Sequence, residues 1–169
     1  MSWLWFRPMG RRVVSFFQRI ALDTPVYMGD KSKVVVGERV ALANTVLNVS
    51  SGKITIGDRT IFSPNVMLVT GRHDFFEGVR VSIHPQFDDG SWGGATWEVP
   101  KSGSDIVIGS GCWLCAGAIV IGGVTLGNNV IVAAGAVVTT NFPDFSILGG
   151  IPARRIGDTR DLPDPPQLP

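Results

Sequence analysis

From Ile108 onward an aliphatic residue returns every six positions: Ile108, Leu114, Val120, Leu126, Val132 and Val138. A second series, small or β-branched, follows each by four: Cys112, Ala118, Val124, Val130 and Ala136. Gly109 and Gly127, and less strictly Cys115, Ile121 and Ala133, come directly after the aliphatic position. The same phase appears earlier at Ile56, Phe62 and Leu68, with Gly57 after Ile56 and Val66 in the small slot. Val36-Gly37 and Leu42-Ala43 open a still earlier pair, and the register slips by two residues between Leu42 and Ile56. A period of six fits neither a helix nor a simple hairpin alternation. It suits a coil with three flat sides, each a short strand with one aliphatic residue pointing inward. Glycine or a small residue takes the corners, where a Cβ would clash or strain the backbone. Successive coils then pair as parallel strands about 4.8 Å apart. A β-sandwich with coincidental spacing is the alternative, and six consecutive in-phase aliphatics argue against it.

The run "IVIGSGCWLCAGAIVIGGVTLGNNVIVAAGAVVTTNFPDFSILGGIPARRIGD" resembles the C-terminal half of hexapeptide-repeat acyltransferases. The resemblance is greatest to the sugar O-acetyltransferase and xenobiotic acetyltransferase group. It extends over roughly residues 34–156, and the repeat and the closing "GGIPARRI" are its most specific pieces. It implies an all-β fold, a left-handed parallel β-helix with a long excursion loop. It also implies acetyl-CoA as acyl donor, a small sugar or amine acceptor, no metal, and a homotrimer with sites between neighbouring subunits.

The flanking segments follow from composition. Residues 1–25 lie outside the repeat. There Val13, Phe16, Phe17 and Ile20 follow helical spacing, opposite Arg11, Arg12, Gln18 and Arg19. A short N-terminal helix is expected, packing on the first coil in preference to anchoring at a membrane through residues 1–20. The arginines also interrupt any secretory leader, so a cytoplasmic protein is expected. The β-helix domain is expected over 26–157, with an excursion loop over 69–105 that holds both histidines. The proline-rich tail, 158–169, is expected to be disordered. The net charge of +1 gives no electrostatic case for nucleic acid.

His73, in "VTGRHDF", lies five residues past Leu68 and matches the family's catalytic histidine, which follows a "PNV" coil, here Pro64-Asn65-Val66. A hydroxyl is a poor nucleophile and must lose its proton as it attacks a thioester; a neutral imidazole accepts one near neutral pH. His84, in mid-loop, matches no family motif. Asp74 and Asn44 are candidate acceptor contacts. The acidic acceptor-binding residue of galactoside-type enzymes aligns with Ser51, a departure that weighs against a galactoside-like acceptor. For the donor, the resemblance implies Trp113 near the thioester and Ala116, Ala134 and Thr139 along the pantetheine arm. It places Arg154 at the phosphates, with Arg155 assisting, where a planar guanidinium fork suits the ligand. Cys112 and Cys115 form a C-x-x-C that reads as packing within the repeat, because a zinc site would need more ligands. The resemblance thus implies O-acetylation of a sugar or polysaccharide precursor by direct transfer. N-acylation of an amino sugar or amine is the enzymatic alternative, and an inactive hexapeptide-repeat scaffold the non-enzymatic one. A γ-carbonic-anhydrase-like site is closed, since it needs three histidines and the chain has 2.

Overall fold

The computed structural model describes residues 24–81, 100 and 102–164. The expected N-terminal helix, His84 and most of the excursion loop lie outside these residues. The chain enters through β1 (Val26–Met28) and then winds in coils of three strands. The first coil is β2 (Val34–Val36), β3 (Ala41–Leu42) and β4 (Val46–Asn48). The second is β5 (Ile54–Ile56), β6 (Ile61–Phe62) and β7 (Met67–Val69), followed by a hairpin of β8 (Phe75–Phe76) and β9 (Val79–Arg80). The third is β10 (Ile106–Ile108), β11 (Trp113–Leu114) and β12 (Ile119–Ile121); the fourth is β13 (Thr125–Leu126), β14 (Ile131–Val132) and β15 (Val137–Val138). β16 (Ser146–Gly149) adds one more parallel strand, and β17 (Arg154–Asp158) folds back antiparallel on it.

Equivalent strands stack into three parallel faces. The first face is β2-β5-β10-β13, the second β3-β6-β11-β14-β16, and the third β1-β4-β7-β12-β15. Val36, Ile56, Ile108 and Leu126 are register partners, as are Leu42, Phe62, Leu114 and Val132, and Leu47, Leu68, Val120 and Val138. Both sequence series point inward: from Ile108 to Val138 every member is buried, including Cys112, Ala118 and Ala136. Each fully buried aliphatic side chain contributes roughly 1.5–3 kcal/mol, so the columns of inward residues hold the coils together. The two-residue slip has two parts. Leu42 to Leu47 is one residue short of the period, and Leu47 to Ile56 is three residues long.

The corner between the first and second faces shows why glycine recurs. A Cβ on Gly109 would lie 2.4 Å from the Gly127 carbonyl oxygen, and one on Gly127 would lie 2.4 Å from the Asp144 amide nitrogen. The corner amides that the turn leaves unpaired go to side chains of the next coil. Glu38 N–H donates to Asp58 Oδ1 at 2.8 Å, Ser110 N–H to Asn128 Oδ1 at 2.9 Å, and Asn128 N–H to Asp144 Oδ1 at 2.8 Å.

The expected disordered tail is corrected at its start. Arg154–Asp158 is a strand and Thr159–Asp161 a 3₁₀ turn capped by the Asp158 carboxylate, which accepts from Arg160 N–H. Arg160 Nε and Nη2 donate to the same carboxylate at 2.8 and 2.7 Å, and Arg155 also pairs with it. The Arg160 side-chain and backbone donors hold the Asp158 carboxyl well below the usual carboxylate range. Paired charges thus order what proline content alone would leave loose. Among the described residues no helix is long and apolar enough to cross a membrane.

Candidate active site

His73 leaves the end of β7, at the edge where the third face turns toward the first. It is exposed, yet the chain on both sides of it is pinned. Thr70 is buried; its Oγ1 donates to the Asn48 carbonyl at 2.9 Å and accepts from Ser51 N–H at 3.1 Å. Ser51, also buried, accepts from Arg72 N–H through its Oγ at 3.2 Å. On the far side Val81 N–H donates to the Asp74 carbonyl at 2.9 Å, which extends the β8–β9 hairpin. Sequence reading treated Ser51 only as a missing acid. Its structural part is to moor the segment that carries His73, and the signal was its place inside a repeat coil, where a small hydroxyl suits a buried corner. Asp74 forms an exposed pair with Arg72, Nη2 to Oδ1 at 3.7 Å.

The candidate donor residues gather elsewhere. Ala116 and Ala134 are exposed one above the other at the opposite edge, where the second face turns into the third. Gly135 N–H donates to the Ala116 carbonyl at 3.0 Å. Next to them Ala153 N–H donates to the Val137 carbonyl at 2.7 Å, which brings the "GGIPARR" segment onto this edge. Arg154 follows there, exposed, with one Nη1 bond to the Ala153 carbonyl at 3.0 Å. Arg155 does not share its freedom, since Asp158 engages it. Trp113 stands outward on the second face, 48% exposed, and donates from Nε1 to Ser63 Oγ at 3.2 Å. It lines a groove of about 450 Å³ with Asn129, Ile131, Phe145, Thr159 and Arg160.

Two expected members sit apart from their groups. Thr139 follows β15, so it lies at the His73 edge, whereas Ala116 and Ala134 precede their third-face strands. Asn44 lies at the donor edge, in a left-handed corner conformation (φ 45°), and donates from Nδ2 to Asn65 Oδ1 at 2.8 Å. That bond makes it a corner residue of the stack. One chain therefore presents the His73 group and the donor group at opposite edges of a face three residues wide, about 10 Å.

The two cysteines also part. Cys112 fills an inward slot with Sγ 3.2 Å from the Gly127 carbonyl oxygen, and burial pushes its thiol up. Cys115 is half-buried on the outside, and burial raises its thiol as well. Thiolate is the reactive form, so thiol-labelling reagent at neutral pH should modify Cys115 slowly and Cys112 only on unfolding. Fast labelling of both in the native protein would contradict this packing.

Residues 105–140 match the bacterial transferase hexapeptide family (six repeats). The chain carries the hexapeptide repeat of these transferases. Galactoside O-acetyltransferase of Escherichia coli is 28% identical over 83% of this chain and 61% of its own length. A 2,3,4,5-tetrahydropyridine-2,6-dicarboxylate N-acetyltransferase of Staphylococcus aureus is 35% identical over 38% of this chain and 27% of its own. The chain thus spans about three fifths and about a quarter of these curated relatives. Among solved structures, a maltose O-acetyltransferase from Clostridium difficile is 27% identical with a TM-score of 0.55, covering 80% of this chain and 66% of the other. A galactoside acetyltransferase in complex with coenzyme A is 22% identical with a TM-score of 0.61, covering 95% and 86%. The hexapeptide-repeat fold shared with them is the left-handed parallel β-helix.

Proposed function

We propose that the protein is an acetyl-CoA-dependent O-acetyltransferase acting on a hydroxyl of a sugar or polysaccharide precursor. The observation that carries the reading is the mooring of His73: an exposed histidine fixed on both sides by buried hydroxyls and a hairpin. The likeness to the E. coli galactoside enzyme over most of this chain supports the acceptor class, and the structure with coenzyme A supports the donor.

In this mechanism neutral His73 takes the proton of the acceptor hydroxyl as its oxygen attacks the thioester carbonyl. The tetrahedral intermediate collapses with cleavage of the carbon–sulfur bond, and the imidazolium returns the proton to the departing thiolate. The products are an acetyl ester and coenzyme A, with no acyl-enzyme. Trp113, Ala116, Ala134 and Arg154 receive the donor. Because His73 and these residues occupy opposite edges, the complete site takes His73 and Thr139 from one subunit. Asn44, Trp113 and the donor edge come from the next subunit in a homotrimer. Use of acetyl-CoA fits a cytoplasmic enzyme.

The match to the S. aureus N-acetyltransferase favours one second reading, transfer to an amine, and it is confined to 65 residues. Thiol release from acetyl-CoA, followed over a panel of hexosides and amino sugars, decides between them. Hydroxylamine cleaves an ester product and leaves an amide. An ester is expected; an amide moves the chain to the second reading, and release from no acceptor refutes both.

A further inference from the structure

The β8–β9 hairpin carries chemistry that the transfer step does not use. Phe75 pairs with Arg80 and Phe76 with Val79, around a turn at Glu77 and Gly78 with φ of 48° and 81°. These values make it a two-residue type I′ turn, which fixes the register. Directly paired residues of a ladder share one face, and successive residues alternate. Phe75 and Arg80 are therefore on one face, and Asp74, Phe76, Val79 and Val81 are on the other. His73 is two residues before Phe75, next to the Asp74 whose carbonyl Val81 N–H holds.

Two properties of that face point to a ligand. Phe75 is 67% exposed, a large apolar ring held out beside the base. Arg80 is half-buried, and its Nε is the one buried side-chain polar atom among the described residues that lacks a hydrogen-bond partner. A buried donor left unpaired in a native structure calls for an explanation, and an acceptor admitted by a shift of the half-buried Arg80 side chain is one. Among the described residues, the nearby negative charges do not answer it. Asp74 is on the other face and pairs with Arg72, and Glu77 sits at the turn. Ser51, buried and bonded to Arg72 N–H, adds none.

We infer that the acceptor is an anionic sugar whose carboxylate or phosphate is bound by Arg80 while its ring stacks on Phe75, with the reacting hydroxyl at His73. Guanidinium matches either anion through paired, charge-assisted donors, and an aromatic ring suits the apolar face of a pyranose. The inference rests on the acetyl-transfer reading and selects the acceptor within it.

The test compares methyl β-glucuronide and glucose 6-phosphate with methyl β-glucoside. Binding is measured by calorimetry and transfer by thiol release. At least one anionic acceptor should bind and react better than the glucoside, and which one does identifies the anion. Arg80→Gln should raise the KM for that acceptor at least about tenfold more than that for the glucoside, leaving acetyl-CoA binding unchanged, and Arg80→Lys should recover part of the loss. Equal use of all three sugars, no binding of either anion, or a loss in Arg80→Gln that is the same for the glucoside would overturn the inference. Charge-selective binding without transfer to any sugar would instead refute the acetyl-transfer reading and leave the anion site standing.

Discussion

His73→Ala should lower kcat by at least about a hundredfold, since general-base assistance is worth roughly 10²–10⁴ in rate. A hundredfold corresponds to about 2.7 kcal/mol of barrier. The fold should be unaffected, because the ring is exposed and the anchoring bonds around it come from backbone groups and from Thr70, Ser51 and Asn48. Acetyl-CoA affinity should hardly change, because the donor edge is on the far side of the third face. His84→Ala is the matched control and should keep most activity. Steady-state kinetics on both variants settles the assignment. An active His73→Ala beside a dead His84→Ala moves the base within the loop. Full turnover in both means that no histidine is the base.

The coil was legible because its period is set by geometry that every turn must satisfy. An inward slot admits an aliphatic side chain whatever the function, so Ile108 to Val138 announce the prism. The two irregular corners of the first coil were legible only as a net slip of two, since a residue lost near Asn44 and three gained near Ser51 leave the same sum. Site residues were less legible for a related reason. His73 lies in the excursion, outside the phase. Thr139 comes one residue after Val138, whereas Ala116 and Ala134 come two after Leu114 and Val132, and only the folded coil shows that this difference puts them at opposite edges. Thr139 was grouped with the alanines by resemblance and lies across the face from them. Arg80 was missed because nothing in a polar loop marks one arginine. Its signal is the pairing with Phe75, which exists only once the hairpin register is fixed. Asp158 was hidden by the prolines that follow it, although its bonds to Arg155 and Arg160 are local in sequence.

Two inactive variants should restore one another if the site is shared. His73→Ala removes the base. Ala134→Trp leaves the core alone, because Ala134 is exposed, and sets an indole across the donor edge beside Gly135. Each variant alone should assemble and show almost no transfer. In a closed ring every site takes its His73 edge from one chain and its donor edge from the next. When the two chains are co-expressed in equal amounts and mix at random, each half of a site is intact half of the time. About a quarter of the sites should then carry both intact halves, given that closed symmetry makes all sites equivalent. A return to roughly a quarter of wild-type activity is the expected result, against about a hundredth or less for either variant alone. The mixture also separates a shared site from a mere packing interface. A trimer whose sites each lie within one chain would show no recovery, because no chain in the mixture is whole. Recovery absent from a mixture that light scattering shows to be trimeric would place His73 and its donor residues on the same chain. The third face would then have to be spanned by the substrate itself, over the three residues between Asn48 and the Val46 edge or their equivalents in the coils above.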